Sequence, residues 1–413
     1  MKMRAMHACL LALAALTSCR YLSISARDDV QERGGARSKD YNSAVITGRV
    51  LCEAGNRSVM VLAIPLPEKQ GVPVEYVILK APGSFMLYLP EGCYRLYSAT
   101  DFNDDGVFEE GEISGTPGDA NEFSIAEGEV RTNVLIRAKA SPPGDIRTPC
   151  RFSVRDDASA LPHQSANGEI VKIYDERFSM VNADAGLWSP TIFMKAFGAY
   201  IYFTEAYDAG KIPILFVHGS QGSPHNWAYF YFRLDKSRYQ PWFFYYPTGM
   251  RLPLASRLLY EALLDLKKRY GFKSICITAH SMGGLVTRHL LTRFEPARDG
   301  IRVRLYVTMA SPWSGFESAD RVLRMRSKKL PSWLDIASSS VFIKRTLQTP
   351  LPPGIAYYLF YGKKDGTSQG RSLDDRAFGG AREIFGFDVD HDSILMDRAV
   401  FQQYSALLER ELR

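Results

Sequence analysis

Ser281 stands in the run Ile275-Cys276-Ile277-Thr278-Ala279-His280-Ser281-Met282-Gly283-Gly284. Apolar and β-branched residues lead in, small residues follow, and the pattern predicts a strand, a sharp turn and a helix with the Ser at the tip. A hydroxyl held there can attack an acyl carbon once a neighbouring base takes its proton. Ala279 and Gly283 flank it because the turn brings strand and helix backbones together, and larger side chains would collide. Glycine is commoner at the first of these positions, and Ala is a sterically mild departure. The alternative is an ordinary strand-to-helix turn. A second run, Ile214-Leu215-Phe216-Val217-His218-Gly219-Ser220, reads as a buried strand ending in His-Gly some sixty residues earlier.

Through these two runs, residues 190 to 400 resemble the α/β-hydrolase superfamily, in particular lipases and esterases with an HGxxG-like loop. Thr308-Met309-Ala310-Ser311-Pro312-Trp313-Ser314-Gly315 is similar to the T-P-x-x-G strand end of triacylglycerol-lipase and GPI-inositol deacylase-like groups. The resemblance implies an α/β fold, a mostly parallel sheet covered by helices, and ester hydrolysis through an acyl-enzyme. It also implies that the backbone N–H groups of Ser220 and Met282 form an oxyanion hole. Losing one such donor elsewhere costs about 3 kcal/mol of transition-state stabilisation.

In that fold the chain order is Ser, then Asp or Glu, then His. Only His289 and His391 follow Ser281. His289 lies eight residues on, in the helix leaving the turn, and is carried away. His391 lies in a loop entering the last helix and is the expected base. For the acid, Asp365 follows the strand expected at Tyr357 to Tyr361. It would accept the imidazole N–H and stabilise the imidazolium. Asp374, Asp375 and Asp388 are its rivals, each also readable as a solvated loop carboxylate. His218 reads as a brace for its loop, and His280 as pocket lining in preference to proton transfer.

Strand-like runs at 199–203, 212–217, 275–278, 303–308 and 356–361 alternate with helix-like stretches at 254–270 and up to about Phe294. The alternation argues for a parallel sheet covered on both faces. The expected catalytic domain spans 168–413, after a linker at 141–167 that begins Ser141-Pro142-Pro143-Gly144. Before it, residues 44–140 show short β-branched and aromatic runs broken by turns, as in a small all-β sandwich of Ig-like or prealbumin-like type. Trp227 to Phe232 and Trp242 to Tyr246 read as aromatic-rich loops, or equally as core. Between Gly315 and Pro350 an insert mixes apolar residues with Arg321, Arg324, Arg326, Lys328 and Lys329. It reads either as a lid or as a surface helix pair covering the sheet edge.

Asp101, Asn103 and Asp105, followed by Gly106 and Glu112, have the oxygen spacing of a calcium loop. The helices that flank such loops are missing, which favours a solvated turn. A Cys52 to Cys93 bridge is open if the compartment is oxidising, and Cys276 reads as a buried thiol.

Residues 1–18 read as an export signal, basic at Lys2 and Arg4 and apolar from Leu10 to Leu16. Leu16-Thr17-Ser18-Cys19 resembles a bacterial lipobox, which implies lipidation of Cys19, a lipid anchor in the cell envelope (outer membrane in preference to inner) and a tether at 19–43. A plain secretory signal is the alternative.

The 413 residues are 46% apolar and 23% charged, the composition of folded domains. Without Lys2 and Arg4, 49 basic residues face 45 acidic ones, a formal +4. That balance, with no basic tract interleaved with aromatics, argues against nucleic acid as a partner. The expected partners are an ester or lipid substrate and the membrane. The chemistry needs no metal or organic cofactor. Thioesters or acyl transfer would use the same residues, and a non-catalytic binding or adhesion role is the rival from another class.

Overall fold

The computed structural model describes residues 44–66, 75–89, 91–118, 121–126, 129–144, 146, 152–155, 166–325, 330–366 and 380–412. The expected signal, Cys19, the tether, Asp374, Asp375, Arg326, Lys328 and Lys329 lie outside these residues. The described chain divides into two compact units, one within Asn42–Ser165 and one within Ala166–Arg413.

The N-terminal unit holds β1 (Ala44–Cys52), β2 (Val59–Leu66), β3 (Glu75–Leu79), β4 (Ser84–Leu89), β5 (Gly92–Thr100), β6 (Val107–Glu109), β7 (Ile113–Gly115), β8 (Glu122–Ile125), β9 (Val130–Ala138) and β10 (Ser153–Arg155). Strands β4-β1-β9 form one sheet and β3-β2-β5-β7 another, with β8 also on β5. Ile46, Val50 and Ile136 from the first sheet pack with Val61 and Leu96 from the second, the layering of a sandwich. Strand β2 is buried on both faces, because Met60, Leu62 and Ile64 join a second cluster with Phe108 and Phe152.

That second cluster corrects the expected linker at 141–167. Ser153–Arg155 is a strand paired antiparallel with β6, and Phe152 before it is buried. Three residues are too few to show a strand period in sequence. The thiols of Cys52 and Cys93 are free, which closes the bridge left open above. They sit on β1 and β5, in different sheets, with Cys52 Sγ 3.9 Å from Thr100 Oγ1 and Cys93 Sγ 3.1 Å from Ser124 Oγ.

The C-terminal unit is built on β11 (Tyr200–Phe203), β12 (Ile212–Val217), β13 (Tyr239–Tyr245), β14 (Ser274–His280), β15 (Arg302–Met309), β16 (Ala356–Gly362) and β17 (Ala381–Phe387). Their order is β11-β13-β12-β14-β15-β16-β17, with β11 antiparallel to β13 and every other pair parallel. Helices are α1 (Met180–Trp188), α2 (Pro190–Phe197), α3 (Ala228–Arg233), α4 (Leu252–Tyr270), α5 (Met282–Leu291), α6 (Pro296–Asp299), α7 (Glu317–Met325), α8 (Pro331–Ile336), α9 (Val341–Gln348) and α10 (Arg398–Glu411). This is the α/β-hydrolase fold.

Strands covered on both faces need apolar sequence, and β12, β14 and β15 supply it at Ile214–Val217, Ile275–Ile277 and Leu305–Val307. On one face Ile214, Phe216, Cys276, Leu305 and Val307 pack with Phe230 of α3 and Val400, Tyr404 and Leu408 of α10. The buried Tyr404 hydroxyl is satisfied by Thr278 Oγ1 at 2.8 Å. On α4, Leu252, Ala255, Leu259, Ala262, Leu263 and Leu266 are buried at helical spacing, and Gly271 ends the helix in the left-handed conformation at φ 69°. Trp242 to Tyr245 form a wholly buried strand, so this aromatic run is core. Pro241, inside β13 (Tyr239–Tyr245), weakened the strand signal, since proline is rare inside a sheet.

Candidate active site

Ser281 joins the end of β14 to the start of α5 with φ 52°, a left-handed conformation that costs a non-glycine residue about 1–3 kcal/mol. The turn survives because it is held from several sides. The Ser281 N–H donates to Met309 O on β15 at 2.9 Å, and Ser281 O accepts from Gly284 N at 2.9 Å. A Cβ on Gly283 would lie 2.6 Å from His218 O and 2.7 Å from Val217 O, so β12 packs directly on the helix backbone. Ala279 is fully buried, as that close approach requires.

The loops beyond β16 and β17 bring the other two groups to this turn. Ser281 Oγ lies 2.8 Å from His391 Nε2, and His391 Nδ1 lies 2.8 Å from Asp365 Oδ2. Asp365 is 5% exposed and follows directly on the end of β16, with its N–H donating to Gly362 O at 3.2 Å. The His391 loop is stitched down by Lys364 N–H to Val389 O at 3.0 Å and by Ser393 Oγ–H to Asp390 Oδ1 at 2.6 Å. Hydrogen bonds from Ser393 also hold the Asp390 carboxyl below its ordinary range. A carboxylate, an imidazole and a hydroxyl in this sequence can move a proton from Ser281 to His391 and stabilise the resulting imidazolium. Asp388, one rival acid, is a surface residue paired with Lys364 at 2.8 Å.

Gly219 lies against Ser281: a Cβ there would meet Ser281 Cβ at 2.7 Å. Ser220 follows it, which sets its backbone beside Ser281. Met282 is the first residue of α5, so its N–H has no partner within the helix and sits at the positive end of the helix dipole. The loop holding Ser220 is fixed by Gln221 N–H to Thr248 Oγ1 at 3.1 Å and by Ser223 Oγ–H to Phe178 O at 2.7 Å. His218 is buried beneath it, stacked on Tyr246 with centroids 4.6 Å apart, and burial pushes its pKa down to about 4. The Tyr246 hydroxyl donates to His218 O at 3.1 Å.

His280 has a role that sequence reading missed. It does not line an open pocket: it is 6% exposed, and its Nε2 lies 2.9 Å from the backbone carbonyl of His391. Burial, with His391 adding, pushes its pKa down to about 3, so the ring is neutral and donates this bond. No sequence signal marks a backbone acceptor 111 residues away. His280, His391 and Asp392 are close enough together to be weighed as metal ligands. Both His391 nitrogens and His280 Nε2 are already hydrogen bonded.

The insert is fastened to the body of the unit. Asp335 on α8 accepts from Arg251 Nε and Nη2 at 2.8 Å each and from Leu252 N–H at 2.8 Å. Phe316 N–H donates to Ile336 O at 2.7 Å, and Arg288 Nη2 donates to Thr349 O at 3.1 Å. Trp333, Ile336, Phe342 and Ile343 are buried, as in a helix pair that covers the sheet. A cleft of about 630 Å³ opens between Lys267, Lys273, Arg302 and Arg304. It lies at the starts of β14 and β15, the opposite end from Ser281, and belongs to a different region.

A family model described as "Putative serine esterase (DUF676)" matches residues 211–350. Among solved structures, the lin2722 gene product of Listeria innocua is 20% identical and aligns over 48% of this chain and 94% of its own, with a TM-score of 0.39. The lipase BlEst2 of Bacillus licheniformis is 20% identical over 49% of this chain and 94% of its own, with a TM-score of 0.38. Lipase B of Aspergillus fumigatus is 15% identical over 51% of this chain and 56% of its own, with a TM-score of 0.41. No curated protein sequence matches the chain. The family match, taken with the arrangement of Ser281, His391 and Asp365, supports a serine ester hydrolase.

Proposed function

We propose that the protein hydrolyses carboxylic esters of acyl or lipid type through an acyl-enzyme on Ser281. The observation that carries this reading is the unbroken path from Asp365 through His391 to Ser281, with 2.8 Å at both steps. Ser281 Oγ attacks the ester carbonyl while His391 Nε2 takes its proton, and Asp365 stabilises the imidazolium. The N–H groups of Ser220 and Met282 hold the oxyanion of the tetrahedral intermediate. As the intermediate collapses, His391 returns the proton to the leaving alkoxide. Water, activated by His391, then attacks the acyl-enzyme and releases the acid and free Ser281.

One feature supports an apolar acyl group. Met180 and Val181 on α1 are 67% and 77% exposed. Their helix is tied to the loop of Ser220 by Gln221 Nε2 donating to Asp184 Oδ1 at 2.9 Å. Exposed apolar side chains on a helix bound to that loop suit a lipid-like substrate. The Leu16-Thr17-Ser18-Cys19 run supports export and anchoring through acyl chains on Cys19, on the outer membrane in this reading. Among the described residues no helix is long and apolar enough to cross a membrane.

The test is a fluorophosphonate probe followed by peptide mapping, run on the wild type and Ser281→Ala, with p-nitrophenyl esters of graded chain length as substrates. Labelling of Ser281 alone and turnover that improves with chain length are expected. A folded wild-type protein that is neither labelled nor active would defeat the proposal. Metabolic labelling with a fatty-acid probe, lost in Cys19→Ser, checks the anchor separately.

A further inference from the structure

Far along the chain from Ser281, the loop between β5 and β7 collects three carboxylates that no basic side chain neutralises among the described residues. Its sequence places Asp101, Asn103, Asp105, Gly106 and Glu112 at the first, third, fifth, sixth and twelfth positions of a twelve-residue stretch. These are the positions at which a calcium loop supplies side-chain oxygens, its tight-turn Gly and its closing Glu. Spacing of this kind also occurs in acidic turns that hold nothing.

Burial separates the two cases. Asp101 is 6% exposed and Glu112 is 9% exposed, although carboxylates are seldom buried without a partner. One oxygen of each is held by the backbone: Asp101 Oδ2 accepts from Gly106 N–H at 3.1 Å, and Glu112 Oε1 accepts from Phe102 N–H at 3.0 Å. The second oxygen of each, Asp101 Oδ1 and Glu112 Oε2, is buried with no hydrogen-bond partner. A buried carboxylate oxygen left in that state is costly unless a charge of opposite sign meets it.

Among the described residues, the basic side chain seated on this loop is engaged elsewhere. Arg57 pairs with Asp104 Oδ2 at 2.8 Å and donates to the carbonyls of Asp101 and Phe102 at 3.0 and 2.9 Å. Asp104 occupies a position that the calcium spacing does not use. Arginine therefore neutralises the acid outside the set and leaves Asp101, Asp105 and Glu112 uncompensated. Asn103 and Asp105 are already turned toward each other, with Asn103 Nδ2 donating to Asp105 Oδ2 at 3.0 Å.

We propose that this loop binds one calcium ion through the side-chain oxygens of Asp101, Asn103, Asp105 and Glu112. The donor set is oxygen only and three-fold anionic, which suits a hard cation. Calcium fits a loop flanked by strands because it accepts irregular shells of about six to eight ligands, whereas magnesium demands near-octahedral geometry and keeps its waters. Bound there, the ion would tie the end of β5 to the entry of β7.

The experiment is isothermal titration of calcium chloride into the chelator-treated full chain, with magnesium chloride as the control and thermal melting in parallel. One ion per chain and a melting temperature raised by calcium are expected. Asp105→Asn and Glu112→Gln should each weaken binding at least tenfold, while Ser281 labelling and ester turnover stay at the wild-type level and circular dichroism shows the fold intact. The proposal is overturned by a folded wild type that takes up no calcium, by binding that persists unchanged in both variants, or by magnesium binding as tightly as calcium.

Discussion

The ring of His280 donates to the backbone carbonyl of His391 at 2.9 Å, so the residue before Ser281 holds the loop that carries His391. The two rings lie 4.9 Å apart between centroids, close enough that displacing one displaces the other.

Replacing His280 should therefore act through His391. His280→Ala is expected to lower kcat by about 10- to 100-fold, the scale of an ångström-sized misplacement, with little change in KM. His280→Gln, which can donate the same bond, should recover part of the loss. Steady-state kinetics on both variants decide this, and equal KM and kcat for His280→Ala and wild type would refute the tether. The acid limb of the pH profile should keep its midpoint in His280→Gln, because His280 stays neutral down to about pH 3.

Gly219 is a steric rather than a chemical requirement. In Gly219→Ala the added methyl carbon would lie 2.7 Å from Ser281 Cβ and push the Ser220 backbone away. The expected cost in kcat is about 100- to 1,000-fold, that of one oxyanion donor. Kinetics on the folded variant with a short-chain ester measure it, and a loss under threefold would mean that Ser220 N–H contributes nothing.

Acid should weaken the fold through buried histidine rings, His218 and His280 among them. Burial drives His218 from its ordinary 6.5 to about 4 and His280 to about 3, so below pH 6.5 the unfolded chain takes up protons that the folded chain refuses. Stability is thus full above about pH 6.5 and falls toward the folded pKa values, by up to about 1.4 kcal/mol per pH unit for each ring. Urea unfolding at about pH 7.5 and pH 5 should show it, with a shallower drop in His218→Asn. A wild-type midpoint that does not move between those pH values would count against buried neutral histidines.

Asp335 anchors the insert on Arg251 and on the start of α4. Asp335→Ala leaves the Arg251 guanidinium and the Leu252 N–H without their acceptor, and a loss of about 3–5 kcal/mol is expected. Arg251→Met combined with Asp335→Leu should recover a good part of it. Denaturant titration of the three proteins is the check, and a single-variant cost below about 1 kcal/mol would show that the contact is incidental.

The fold was largely legible where a strand carried a short apolar run at its centre, as in β12, β14, β15 and β16. Strand β13 was not, because Pro241 breaks the run that Trp242 to Tyr245 continues. The order of strands rests on pairings between distant segments, which no local pattern records. In the site, Ser281, Asp365 and His391 could be singled out because their chemistry demands particular residue types at strand ends. Side chain to backbone bonds left no such trace, so the His280 contact was invisible. The pairing of Arg251 with Asp335 spans 84 residues and was equally hidden.

Ser281 meets His391 across 110 residues, with β15, β16 and β17 between them, and His391 meets Asp365 across 26, with β17 between them. Contacts of such long range form after local ones, because the intervening chain must be ordered first. A partly folded intermediate in which α5 and its strand have already docked would therefore be catalytically silent. Return of ester turnover during refolding should then lag the recovery of secondary structure and mark the last docking event, a clock for completion supplied by the active site itself.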